Sequence, residues 1–84
     1  MSYSVLIERR AQSELASQPR DAYDRLKAAI LSLENNPRPN NCRKLTGRDA
    51  WRIRVGDYRV IYEVNDSTKT VVVLHVGHRR DIYR

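Results

Sequence analysis

A single cysteine, Cys42, excludes an internal disulfide and a cysteine-rich zinc site from this 84-residue sequence. The only other soft ligands of that kind are His75 and His78, so neither a metal centre nor any other cofactor is expected. No apolar run approaches the roughly 20 residues that a bilayer-spanning helix needs, and no signal-peptide pattern is present. The expectation is a soluble cytoplasmic protein with no membrane partner. Internal repeats and linkers are absent too, so residues 1–84 are read as one domain with one modest core.

Negative charge is scarce in one part of the chain only. Up to Pro37, five basic residues are matched by five acidic ones, whereas from Arg38 to Arg84 eleven Lys or Arg face only Asp49, Asp57, Glu63, Asp66 and Asp81. The whole net charge of +6 therefore lies in the second part. Segregation of this kind points to a polyanion partner, most simply nucleic acid.

Within that basic part, Trp51–Val55 and Tyr58–Val64 are two alternating runs joined by Gly56-Asp57. Glycine accepts the positive φ that tight hairpin turns require, so the stretch reads as a β-hairpin. With Gly56 and Asp57 as the loop, Val55 pairs with Tyr58, Arg54 with Arg59, Ile53 with Val60, Arg52 with Ile61 and Trp51 with Tyr62. Trp51, Ile53, Val55, Tyr58, Val60, Tyr62 and Val64 then share a core face. Arg52, Arg54, Arg59, Ile61 and Glu63 share the other. Arg54 directly opposite Arg59 costs a few tenths to about 1 kcal/mol, a penalty that folding alone does not explain.

Around the hairpin, the alternation of Tyr3, Val5 and Ile7 predicts a first strand. Ala11 and Leu15 mark a short helix ending near Ser17-Gln18, and Ala22, Leu26, Ala29, Ile30 and Leu33 mark a second that starts at Pro19 and stops at Asn35-Asn36-Pro37. The two form a helical hairpin able to lie across a sheet. Pro37–Ala50 reads as an irregular loop, anchored by Leu45 and carrying Arg38, Arg43, Lys44 and Arg48. With Arg80 near the end of the sequence, these are the candidate RNA-binding residues. Lys69–Val76 predicts another strand, paired antiparallel, with Val72, Leu74 and Val76 on one face and Val71, Val73 and His75 on the other; burial on both faces also fits the run. His75 is expected to be structural.

Taken in order, the opening strand and helical hairpin, Asn36-Pro37-Arg38-Pro39, Lys44-Leu45-x-Gly47, Trp51-Arg52-Ile53-Arg54-Val55, Asp57-Tyr58-Arg59-Val60-Ile61-Tyr62, and Gly77-His78-Arg79 followed by Ile82-Tyr83 resemble the RelE branch of the RelE/ParE toxin superfamily. The resemblance covers nearly the whole chain. It implies an α+β fold, with two helices on an antiparallel sheet of three to four strands. It also implies a ribosome-dependent endoribonuclease that cuts mRNA in the decoding site, is neutralised by a cognate antitoxin and belongs to a toxin-antitoxin complex that is a candidate binder of operator DNA. The family's functional positions fall on Arg52, Arg54, Arg59, Arg79 and Tyr83. RelE-like toxins often carry lysine where Arg52 and Arg54 stand, and some extend beyond the tyrosine, whereas this sequence stops at Arg84.

An arginine fork suits a transferring phosphate but not proton abstraction, since it stays charged. That leaves His78 or Tyr83 as candidates for proton transfer; Glu63 shares the cationic face, either as a further candidate or simply as an ion-pair partner. Two other functions remain open. One is a ParE-like toxin that inhibits a protein target such as gyrase without nuclease chemistry, and the other is a non-enzymatic RNA-binding module.

Overall fold

The computed structural model describes residues 2–47 and 49–78. Their elements follow in the order β1 (Ser4–Ile7), α1 (Arg9–Ala16), α2 (Arg20–Ser32), β2 (Cys42–Lys44), β3 (Trp51–Val55), β4 (Tyr58–Asn65) and β5 (Thr70–His78). The β3–β4 hairpin has the expected register at all five pairs, from Trp51↔Tyr62 to Val55↔Tyr58. Gly56 turns it at φ +61, and Asp57 keeps a negative φ. This is the primed geometry that admits glycine at the first loop position and matches the twist of the strands.

Helix α1 presents Ala11 and Leu15, one turn apart, to the interior, and α2 presents Ala22, Leu26 and Ile30. Pro19 caps α2 from just outside its first turn and accepts the Tyr23 N–H through its carbonyl. The helices cover one face of the sheet. There Leu26, Ile30, Leu33, Ile53, Val60, Tyr62, Val71, Val73 and Val76 are all 2% exposed or less. No helix among the described residues is long and apolar enough to cross a membrane.

The α+β architecture is as expected, and the sheet adds one strand to it. Its order is β1-β5-β4-β3-β2. The added strand, β2, comes from the stretch that reads as a loop; it pairs antiparallel with β3 over three residues only. So short an edge strand leaves almost no periodic signal. At the far edge β1 runs parallel to β5, from Ser4↔Thr70 to Ile7↔Val73. A parallel pair needs a long connection, and here both helices and three strands lie between the partners.

Two details depart from strict alternation. Along β5, Tyr62 pairs with Val73 but Ile61 pairs with His75, so Leu74 is an extra residue. The bulge returns Val76 to the core face with Val71 and Val73 and leaves Val72 and Leu74 on the other side, whereas simple alternation groups Val76 with Val72 and Leu74. The face away from the helices is also not purely cationic. Ala50 and Ile61 are buried there, packed by Leu45 and Leu74, so Leu45 does anchor its loop.

Candidate functional site

The face away from the helices gathers arginines in rows set by strand register. Arg43 on β2 lies opposite Arg52 on β3, and Arg54 on β3 lies opposite Arg59 on β4. Directly paired residues share a face, and residues two apart on one strand stand roughly 7 Å apart along it. The rows are therefore spaced by about that distance. Arg43 and Arg54 are exposed and Arg52 is half-buried.

Arg59 differs from the rest, being the one buried charged residue among the described residues, 6% exposed. Its Nη1 donates to the Tyr58 carbonyl at 3.3 Å, but its buried Nε has no hydrogen-bond partner. No carboxylate among the described residues pairs with it. An uncompensated buried guanidinium is costly, and it is also well suited to an anion that arrives from outside. Across the sheet Arg59 faces Gly77, which contributes no side chain.

Other candidates are distributed differently. Lys44 is paired with Trp51, which puts it on the side opposite Arg43, and its Nζ lies 3.8 Å from Asp49. Arg38 lies toward the other end of the sheet. It donates to both carboxylate oxygens of Asp66, at 3.2 and 2.9 Å, and its guanidinium sits 5.2 Å from the centre of the Trp51 ring. Asp66 also accepts from the Tyr3 hydroxyl at 2.7 Å. The hydrogen bonds from Arg38 and then Tyr3 hold its carboxyl down at about 2. Arg38 thus fastens the β4–β5 turn and is not brought to the arginine rows.

His78 pairs with Tyr58, with ring centroids 5.6 Å apart in an edge-to-face arrangement. Tyr58 packs on the main core, so register sets His78 on the helix-bearing side of the sheet end and not among the arginines. Glu63 is exposed on the arginine side, two alternations beyond Arg59 along β4, and forms no ion pair with another described residue. Arg48, Arg79, Arg80 and Tyr83 lie outside the described residues. No group of three or more potential metal ligands occurs among the described residues.

Chemically, these rows present planar, permanently charged forks that can hold phosphate oxygens bidentately. Guanidiniums in such a row can also stabilise charge that develops on a phosphorus centre.

Known proteins share both this sequence pattern and this topology. A curated putative toxin RelE1 of Methanocaldococcus jannaschii is 27% identical over 88 residues, which span 100% of this chain and 98% of that protein. Toxin RelG of Mycobacterium tuberculosis is 48% identical over 42 residues, half of this chain and 46% of that protein. Among solved structures, the archaeal RelE–RelB complex from Pyrococcus horikoshii superposes with a TM-score of 0.85 at 36% identity, covering 96% of this chain and 99% of that one. The isolated E. coli RelE toxin gives 0.80 at 28% identity, covering 98% and 92%. The family model described as the ParE toxin of the type II toxin-antitoxin system parDE matches residues 5–83. With a family model spanning nearly all of its length and a RelE relative at 36% identity, the chain belongs to the RelE/ParE family of toxins of type II toxin-antitoxin systems.

Proposed function

We propose that this toxin is a ribosome-dependent endoribonuclease that cuts mRNA in the decoding site and is held inactive by a cognate antitoxin. The observation that carries this reading is the Arg54–Arg59 row with its buried, partnerless Nε. A fold gains nothing from setting two arginines face to face, but a scissile phosphate between them would relieve the repulsion and satisfy the orphan donor. The known relatives include RelE proteins in complex with RelB, which supports an antitoxin partner of that kind. Such a toxin acts in the cytoplasm, where its partners are the ribosome and mRNA. Operator DNA is a further target of the toxin-antitoxin complex under this reading.

In this mechanism the 2′-OH attacks the adjacent phosphorus in line with the departing 5′ oxygen. The proton lost from the 2′ oxygen passes to Tyr83 or water, and the P–O5′ bond breaks. The departing 5′ oxygen takes up a proton and leaves as the 5′-hydroxyl of the downstream fragment, and the upstream fragment keeps a 2′,3′-cyclic phosphate. Arg54 and Arg59 hold the non-bridging oxygens and stabilise their growing charge, with Arg52 alongside. Arg79 assists, and Tyr83 orients a splayed base or transfers a proton. His78, on the other side of the sheet end, is auxiliary. Arg43, one row over, binds the neighbouring backbone.

Single-turnover cleavage of mRNA on programmed ribosomes tests this. Arg59→Ala is expected to slow cutting by roughly 10² to 10³, as for loss of one preorganised donor, and His78→Ala by about 10-fold. A 2′-deoxy substitution at the cut site should block the reaction. An abolished reaction in His78→Ala beside a nearly silent Arg59→Ala would reverse these roles. The description of the matching family as ParE favours one alternative, a toxin that inhibits a protein target such as gyrase. Growth arrest by a protein that leaves ribosome-bound mRNA intact would select it.

A further inference from the structure

Parallel pairing of β1 with β5 stops at Ile7↔Val73. Beyond that point α1 lies along β5, and Glu14 takes over the exposed edge. Its Oε1 accepts the Val76 N–H at 2.9 Å, and His75 Nδ1 lies 2.6 Å from the same carboxylate. The two side chains are only 24% and 21% exposed. Arg10 is a looser neighbour, its Nε 3.4 Å from Oε2. These contacts fall where the β4–β5 ladder resumes after the extra residue Leu74.

The bulge decides what stands opposite Arg59. If the ladder ran on from Tyr62↔Val73 without it, Leu74 would meet Ile61, His75 would meet Val60 and Val76 would meet Arg59. His75 would then turn into the main core, where Val60 is fully buried, and a valine would stand beside the guanidinium. With the bulge, Gly77 faces Arg59, and no described atom lies within 4 Å of where a Cβ on Gly77 would be.

We infer that Glu14 is a positioning residue for the arginine row: by clamping His75 and the Val76 amide it holds the Leu74 bulge, which keeps Gly77, and so no side chain, opposite Arg59. The role in cleavage rests on the nuclease reading above; the control of register and of what stands opposite Arg59 does not.

The test uses the full chain as wild type, Glu14→Ala, Glu14→Gln and Gly77→Leu. NMR reads the Val76 amide exchange rate, the cross-strand contact of Arg59 with Gly77, and the shift of the Arg59 Nε–H resonance on titration with inorganic phosphate. Single-turnover cleavage on ribosomes is measured in parallel. Glu14→Ala should lose the Val76 protection and the Arg59–Gly77 contact, weaken phosphate binding at Arg59, and slow cleavage by about 10- to 10²-fold, the scale of a small misplacement in a reacting site. Glu14→Gln keeps an oxygen for the Val76 N–H and should restore most of each signal. Gly77→Leu should keep the bulge yet lose phosphate binding, because a side chain then stands beside the Arg59 guanidinium. An unaltered Arg59–Gly77 contact in Glu14→Ala, or undiminished phosphate binding in Gly77→Leu, overturns the inference. If Glu14→Ala does not fold, Glu14→Gln and Gly77→Leu decide it. A wild-type protein that fails to cut mRNA refutes the nuclease reading alone, since the phosphate titration still discriminates among the variants.

Discussion

Replacing Arg59 by methionine should make this protein more stable and inactive at once. Methionine keeps an unbranched, adaptable stem in the buried space and removes the charge and the orphan Nε. Leaving a buried donor unsatisfied costs about 1–3 kcal/mol, and the like-charge pairing with Arg54 costs about 0.2–1 kcal/mol more. Against these stands the Nη1 bond to the Tyr58 carbonyl at 3.3 Å, which contributes about 0.5–1.5 kcal/mol. The balance is a gain of about 1–2 kcal/mol. In a domain of this size each kcal/mol moves Tm by about 4–8 °C, so Arg59→Met should melt roughly 4 to 16 °C above wild type. Arg59→Ala is the poorer probe of stability, because it empties a site only 6% exposed and adds a cavity cost. Thermal melting followed by circular dichroism, with urea unfolding as a check, measures the effect, and the ribosome assay should show a loss of roughly 10² to 10³. A Tm below wild type for Arg59→Met would refute the reasoning, since it would mean that the guanidinium contributes to the fold.

Other outcomes follow from the same geometry. Arg43→Ala, at an exposed position in the second arginine row, should leave Tm within about 2 °C of wild type and lower the log–log salt slope of RNA binding by about 1, as expected for one lost phosphate contact. Asp66 is held at about 2 from an ordinary 3.8 by Arg38 and Tyr3, so the stability it contributes is present above the ordinary value and is lost as pH falls through about 2. Melting temperatures across that window should fall less steeply in Asp66→Asn. Burial first, and then the neighbouring Cys42, push the Tyr62 hydroxyl well above the ordinary 10.0. Stability should therefore fall as pH rises past the ordinary tyrosine value, where the unfolded chain ionises first, and less so in Tyr62→Phe. That variant also strips the Pro37 carbonyl of its 2.7 Å donor, which should lower stability at neutral pH by about 0.5–1.5 kcal/mol in urea unfolding.

What the sequence by itself determined is what is local along the chain. Gly56-Asp57 between two alternating runs specifies the turn, the turn specifies the register, and the register alone sets Arg54 against Arg59. The helices are legible for the same reason, because Ala11 and Leu15, or Leu26 and Ile30, lie one turn apart on a single face. Tertiary structure decided whatever depends on partners distant in sequence. β2 exists because β3 offers it an edge, and β1 runs parallel because the chain between it and β5 is long enough to allow it. Arg38 and Lys44 read as neighbours of Arg43 in a basic loop, yet Asp66 and the pleat of β2 carry them away from the arginine rows. Arg59 and Arg54 look alike in the sequence, but one is buried and the other exposed, because β4 is flanked by β5 and β3 while β3 is covered on its outer side only by three residues. The bulge at Leu74 is the clearest case. Six residues of valine-rich strand fit either phase by pattern, and the choice falls to Glu14, some sixty residues earlier, whose carboxylate reaches the Val76 amide only after the chain has folded.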